Sequence, residues 1–301
     1  AKADVIVLAK PQPQNTFPVL SWVERRAAPL VVDLDDRETE ASRLPARARG
    51  AIARLEIQAL EQASVVTAAS PALSEYARTI HPTARVEFLP TGIRVPLTVP
   101  PARLREQLGL APDAKLIVYI GSLSIASGHR VDTLLEAFSG LTDSIPSAHL
   151  VLAGDGIDAA RLRRQAEASS RRHRIHFLGR FTPPEDIALA READLLVDPV
   201  DRSLTNEAKS SHRVLLALAT GTPVIAGAVG VRSLFLPPAL HALCLYEPEN
   251  AIALALALAR GLEPSTRDQF RAQTQGLVDQ WTWPVLGKRF VEILESIKRP
   301  A

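Results

Sequence analysis

The sequence predicts an α/β protein made of doubly wound parallel sheets. Short β-branched runs alternate with helix-period stretches from one end to the other, the pattern of repeated strand–helix–strand units. The strand runs are apolar at consecutive positions, as expected where helices cover both faces of a sheet. With 301 residues, the chain is too long for one ordinary core and about right for two.

A first domain is expected over residues 1–97, with strands at 4–8, 30–34, 64–68 and 86–89. Four strands are few for a covered sheet, and the chain holds no methionine. Both facts lead to the expectation that earlier strands of this domain are missing before Ala1. The proline-rich run 95–101 reads as a linker. A second domain is expected over 98–280, with strands at 116–121, 149–154, 174–178, 194–197, 223–226 and 243–246 forming one doubly wound sheet. Its helix 132–141 sets Leu134, Leu135 and Phe138 on one face. After Trp281-Thr282-Trp283-Pro284, a helix is predicted over 285–297, with Leu286, Phe290, Ile293 and Leu294 spaced for one buried face. It either closes the second domain or crosses back to the first.

Composition narrows the function. The chain is 47% apolar and 23% charged, ordinary for a globular protein and not for a disordered one. Apolar runs such as 251–259 fall far short of the ~20 residues that cross a bilayer, and no leader peptide is read at the start. A net charge of +2 argues against a dedicated nucleic-acid partner. The single cysteine, Cys244, leaves no disulfide framework and fits a reducing cytoplasm. Arg43, Arg47, Arg49 and Arg54 within 42–60 would allow weak peripheral contact with an anionic inner membrane face.

The richest stretch for chemistry is 193–230. A polar loop, 201–211, leads into a helix expected to begin near Ser210 or Ser211, where exposed backbone N–H groups and the dipole make an anion site. Lys209 and Ser210 stand where they would add a charge and a hydroxyl, with His212 and Arg213 one step on. The plainer alternative is an ordinary serine cap beside a solvated lysine. A second candidate is Gly121-Ser122 after the first strand of the second domain, followed by Gly128-His129-Arg130. A small residue there lets a ligand approach backbone N–H groups, and His129 and Arg130 would meet phosphate oxygens. Gly154-Asp155-Gly156 is either a tight turn or a ligand contact, and Arg180 ends another strand. Asp33-Leu34-Asp35-Asp36 invites a metal reading, but no histidine or further acid stands at ligand spacing, so no metal site is expected. No Ser/His/Asp or Cys/His set can be assembled, and no catalytic residue is assigned.

Taken in order, Val118-Tyr119-Ile120-Gly121-Ser122, Val131-Asp132-Thr133-Leu134-Leu135-Glu136-Ala137-Phe138, Leu150-Val151-Leu152-Ala153-Gly154-Asp155-Gly156, Ile175-His176-Phe177-Leu178-Gly179-Arg180, Ala193-Asp194-Leu195-Leu196-Val197-Asp198-Pro199 and Gly221-Thr222-Pro223-Val224-Ile225-Ala226 resemble the C-terminal domain of the GT-B "group 1" retaining glycosyltransferases. Val31-Val32-Asp33-Leu34-Asp35-Asp36, Ser64-Val65-Val66-Thr67-Ala68-Ala69-Ser70 with Leu73, and Leu89-Pro90-Thr91-Gly92-Ile93 are similar to later strands of that family's N-terminal domain. The segment 281–301 looks like its closing helix, which crosses back to the first domain.

The resemblance implies a GT-B architecture, two Rossmann-like domains facing a cleft. It implies transfer from a nucleoside-diphosphate sugar, with retention, to an unidentified acceptor: a glycan, a lipid-linked glycan or a small molecule. Gly121 and Ser122 would lie near the diphosphate, with His129 and Arg130 roughly where the family has a basic pair. Arg180 would lie near the nucleoside, and Asn206, Glu207, Lys209 and Ser210 would serve the diphosphate and sugar. No divalent metal and no cofactor are implied, because cationic side chains and a helix start stabilise the departing diphosphate. Two departures stand out. The family's paired glutamates fall at Ala208, next to Glu207, and at Leu216, and the usual Arg and Lys of the first phosphate loop have no exact match. They motivate an alternative, a catalytically silent GT-B protein that binds nucleotide or a partner enzyme. A sugar-nucleotide epimerase would need more converging acids and histidines than the chain offers.

Overall fold

The computed structural model describes residues 3–26, 28–41, 46–96, 98–141 and 145–297. Ser42 and Arg43 of the basic run, Leu97 of the linker and residues 298–301 lie outside the described residues, as does the side chain of Arg47. The chain divides into two compact units. The first comprises Ala1–Gly92, Ser203–Ser210 and Gln280–Ala301, and the second Ile93–Arg202 and Ser211–Asp279. The expected boundaries differ in that 203–210 joins the first unit. Ala208 is buried in that unit's core, and the Ser210 hydroxyl donates to the Ala69 carbonyl at 3.1 Å.

In the first unit, β1 (Ile6–Ala9), β2 (Leu30–Leu34), β3 (Val65–Ala68) and β4 (Arg85–Phe88) form a four-stranded parallel sheet in that order. The register sets Ala9 beside Asp33 and Asp33 beside Thr67 at the carboxyl ends of β1, β2 and β3. β3 is buried along its length, which is why its side chains are apolar or, in Thr67, small. Ser70 then caps the helix Pro71–Ile80 by accepting from the Leu73 N–H at 3.1 Å, with proline in the first turn, where its missing N–H costs nothing. The closing helix, Trp283–Ile297, packs on this sheet: Ile293 meets Val31 and Val65, with Phe290, Leu294 and Ile297 beside them.

The second unit holds β5 (Lys115–Ile120), β6 (Ala148–Ala153), β7 (Ile175–Gly179), β8 (Leu195–Asp198), β9 (Val224–Gly227) and β10 (Leu245–Tyr246). They form one parallel sheet in the order β10-β9-β8-β5-β6-β7. Its core joins Ile117, Tyr119, Leu150, Leu152, Leu195 and Val197 of the strands to Leu134, Leu135, Phe138 and Leu258 of the covering helices. β10 is shorter than its expected span because His241–Cys244 is helical; that run is rich in Leu and Ala and has no β-branched residue to favour a strand. No helix among the described residues is long and apolar enough to cross a membrane.

Candidate functional site

In the second unit the chain runs from β5 to β6 and β7 on one side, then returns past β5 to β8 on the other. The strand order therefore reverses between β5 and β8, and the carboxyl ends of two such strands open a crevice. Two glycines shape it. Gly121 follows β5 at φ +155° and Gly154 follows β6 at φ +147°. A side chain on Gly154 would overlap the Gly121 carbonyl, so the two backbones touch only because residue 154 has no Cβ, and a Cβ on Gly121 would instead run into Arg213 Nη1. The Gly121 N–H donates to Ala153 O at 2.9 Å and the Leu123 N–H to Asp155 O at 3.0 Å, which fixes the loop.

Beneath Gly121 lies a buried cluster of charge. Asp198, at the end of β8, is fully buried, and Arg232 is 2% exposed. Arg213 Nε donates to Asp198 Oδ1 at 2.7 Å, and Arg232 Nε to Oδ2 at 2.7 Å. The Ser211 hydroxyl donates to Oδ2 at 2.6 Å. Burial alone would raise the Asp198 carboxyl, but the two guanidiniums and the hydroxyl hold it far below the usual carboxylate range. Burial likewise opposes the charge on Arg213, and Asp198 more than offsets it. Two cations on one anion leave the triad with a surplus positive charge in a low-dielectric setting, which suits an anionic ligand at the crevice above.

Arg213 also reaches the crevice directly. Its Nη1 donates to the Ile120 carbonyl at 3.1 Å, and its guanidinium lies 4.9 Å from the Tyr119 ring centre. Burial pushes the Tyr119 hydroxyl up to about 12, and that hydroxyl donates to Ser122 O at 2.6 Å. Arg213 Nη2 stands 3.0 Å from His129 Nδ1. Because a guanidinium only donates, His129 accepts at Nδ1 and carries its hydrogen on Nε2.

Of the expected residues in this unit, Gly121, Ser122 and His129 come together around Arg213. Arg130 is turned away, donating to Asp132 at 3.0 and 3.2 Å and to Glu249 at 3.2 Å. Arg180 is 86% exposed at its side chain and pairs with Asp155 at 3.2 Å. The helix expected near Ser210 or Ser211 begins at His212. Its cap is Ser211, whose hydroxyl accepts from the Val214 N–H at 3.3 Å. Ser210 is not a helix terminus, because its hydroxyl is held by Ala69 O and by the Thr91 N–H at 3.0 Å.

Asn206, Glu207, Lys209 and Ser210 belong to the first unit. Asn206 is buried and Glu207 half-buried in the short helix Leu204–Ala208, capped by Ser203. Lys209 follows it, with Nζ 4.0 Å from Asp36 Oδ1. Asp198 and Arg232 were not singled out by the sequence, and Arg213 was named only as one step beyond Lys209 and Ser210. The one local signal for them was an acid ending a buried strand next to arginines in otherwise apolar segments. Among the described residues, no three His, Cys, Asp or Glu side chains are arranged to hold a metal ion.

Residues 114–263, about half of the chain, match the family model described as Glycosyl transferases group 1. A GDP-mannose-dependent monoacylated alpha-(1-6)-phosphatidylinositol monomannoside mannosyltransferase of Corynebacterium glutamicum is 29% identical over 228 residues, 73% of this chain and 58% of the relative. A lipopolysaccharide 1,2-N-acetylglucosaminetransferase of Salmonella typhimurium is 27% identical over 226 residues, 71% of this chain and 58% of the relative. The chain thus spans less than two thirds of the length of these curated relatives. The crystal structure of Anabaena HepE in complex with UDP and glucose superposes with a TM-score of 0.78 at 20% identity, covering 97% of this chain and 78% of that one. Residues 114–263 are a group 1 glycosyl transferase domain, set in a chain with the GT-B fold.

Proposed function

We propose that the protein transfers a sugar from a nucleoside-diphosphate sugar to an acceptor, with retention and with no divalent metal or cofactor. The observation that carries this reading is the surplus positive charge of Arg213 and Arg232 on Asp198, with Arg213 Nη1 directly beneath Gly121. As the bond from the anomeric carbon to the diphosphate breaks, negative charge grows on the departing oxygens. A fixed positive charge and backbone N–H groups already in place stabilise it without reorganisation. Arg213 takes the part that the resemblance gave to His129 and Arg130, and His129 orients it. Retention rests on the resemblance alone.

The proposal extends to donor contacts from Arg180, Asn206, Glu207, Lys209 and Ser210. The relatives' names point to guanosine and uridine diphosphates as the nucleotides to try first. They also point to a glycan or lipid-linked glycan as acceptor, and the proposal keeps the cytoplasmic location that the sequence led us to expect.

Leu216 favours a second reading. It is fully buried in the helix His212–Thr220, where the family pattern has a glutamate, so the ribose lacks that acceptor. This is the silent, nucleotide-binding alternative. Isothermal titration with UDP and GDP, followed by a donor-hydrolysis assay, decides between them. Transfer requires binding that His129→Ala weakens about ten-fold, the ~1.5 kcal/mol of a charged hydrogen bond, together with turnover of at least one donor. Lys209→Ala should weaken donor binding or turnover by a similar factor, and unchanged kinetics would remove Lys209 from the proposal. Binding without turnover across the donors supports the silent reading, and no binding by either nucleotide overturns both.

A further inference from the structure

Two histidines of the second unit have no part in the transfer reading, yet the sheet sets them side by side. His149 is the second residue of β6 and His176 the second residue of β7, the edge strand of that sheet. The register pairs Val151 with His176, and strand alternation puts His149 on the same face as Val151. The two histidines are therefore diagonal neighbours across one strand pair, close enough for long side chains to meet. They lie on the face turned away from Leu150, Leu152 and Ile175 of the core. Both are half-buried, so packing restrains the rings while solvent still reaches them.

The rings meet through nitrogen. His149 Nδ1 lies 3.1 Å from His176 Nε2, with ring centres 5.3 Å apart and planes tilted by 30°. Among the described residues this is the one hydrogen bond that either imidazole makes. No carboxylate or carbonyl competes for the two nitrogens. As a hydrogen bond the contact holds one proton, with one nitrogen donating and the other accepting. With both hydrogens on the outer nitrogens, His149 Nε2 and His176 Nδ1, the same contact presents two lone pairs instead. Imidazole nitrogens hold zinc at about 2.0–2.1 Å, and an ion at that distance from both would see them at roughly 100°, close to the tetrahedral angle. The strand ladder brings the two donors to chelating distance before any ion arrives.

The donor set then selects the ion. Neutral imidazole suits zinc, copper and nickel, whereas magnesium and calcium take oxygen ligands. Two imidazoles leave the remaining positions to water, so the site is an open one. Arg174 and His173 stand near enough for their charge to act on His149, which weakens the hold on a cation. Solvent at these half-buried and exposed side chains screens that repulsion. The pair sits at the amino ends of β6 and β7, while the Gly121 and Gly154 crevice lies at the carboxyl ends. An ion here therefore takes no part in the departure of a diphosphate. Its effect would be mechanical, tying the edge strand to β6 ahead of the register shift between Leu152 and Ala153.

We propose that His149 and His176 form a two-imidazole chelate for a divalent transition-metal ion of the zinc class, which clamps β7 to β6. The inference goes beyond the transfer reading and does not depend on it.

Isothermal titration of the full chain with zinc chloride at neutral pH, in a buffer that does not bind metals, tests it, with magnesium chloride as the control. Zinc should saturate at one ion per chain, and magnesium should not. His149→Gln and His176→Gln should each weaken zinc binding at least ten-fold, while the neighbouring His173→Gln leaves it within two-fold. Hydrogen exchange reports the clamp itself: zinc should slow exchange of the β7 amides in wild type and not in His176→Gln. Both rings are half-buried on an outward face, and far-UV circular dichroism checks that the variants fold; either glutamine variant carries the test should the other fold poorly. The proposal is overturned by zinc that does not saturate, which leaves a hydrogen-bonded pair only. It is equally overturned by zinc binding that His149→Gln and His176→Gln both retain, by a loss confined to His173→Gln, by magnesium that binds as tightly, or by β7 exchange that zinc does not slow.

Discussion

Asp198 sits where two opposed requirements meet. A carboxylate removed from water is costly, and so is each guanidinium beside it; together they are tolerable because every charged atom has a close partner. The hydrogen bonds of 2.6–2.7 Å to Ser211, Arg213 and Arg232 are short and charge-assisted. Asp198→Asn keeps the shape but leaves two buried cations on a neutral amide, and should cost about 3–5 kcal/mol in urea unfolding at neutral pH. The pH dependence follows from the depressed carboxyl. Its contribution is present above the unfolded-state pKa and lost as pH falls through the folded-state value. The gap between wild type and variant should therefore persist through mild acid and close only in strong acid. Glu56 gives the opposite sign. It is fully buried near Tyr76 and Arg37, and burial, only partly countered by Tyr76, raises its carboxyl. A raised carboxyl favours the folded state at low pH, and that contribution is lost as pH rises through the folded-state value. Glu56→Gln should therefore raise the melting temperature at pH 8 and lose most of that advantage near pH 4. A variant less stable than wild type at pH 8 would contradict the burial argument.

At the scale of elements, Ser211 does two things with one oxygen. It accepts from the Val214 N–H to start the helix His212–Thr220, and donates to Asp198. Ser211→Ala loses a cap and a charged hydrogen bond together, and should cost about 2 kcal/mol by chemical denaturation. A loss under 0.5 kcal/mol would mean that neither bond matters. The helices and strands themselves were legible in the sequence, because periodicity and β-branched runs are local signals. Observed strands lie within two residues of their expected spans; β10 starts two residues late because Leu243 and Cys244 are in a helix. Gly121 and Ser122 were legible as a strand-end turn. The Arg213 cluster was not, for a physical reason. Asp198 is 15 positions from Arg213 and 34 from Arg232, and only the crossing from β8 to the following helices brings them to one carboxylate. The sequence leaves Ser210 and Ser211 open as the cap, because two serines adjoin and only backbone geometry decides that Ser211 begins the helix.

For the whole molecule, the decisive feature is that the last helix completes the first unit's core. Arg289 donates to the Phe88 carbonyl at 3.0 Å from 201 positions away, and Phe88 and Trp281 meet edge to face at 6.1 Å. Ile293 rests on Val31 and Val65, so β2 and β3 are finished on one face by residues at the far end of the chain. Contacts of such long sequence separation form only after the intervening loop entropy has been overcome. The second unit draws its core from within itself: Ile117, Leu150 and Val197 pack against Leu134, Phe138 and Leu258. A defect in the closing helix should therefore be felt in one core and spare the other. Ile293→Ala removes a side chain that is 6% exposed and should cost about 2–4 kcal/mol in the stability of the first unit. Hydrogen exchange should then show faster opening of β2 and β3, with β5 and β6 protected as in wild type. If β5 and β6 lose protection to the same extent, the two cores do not open independently, and the chain unfolds as one cooperative body.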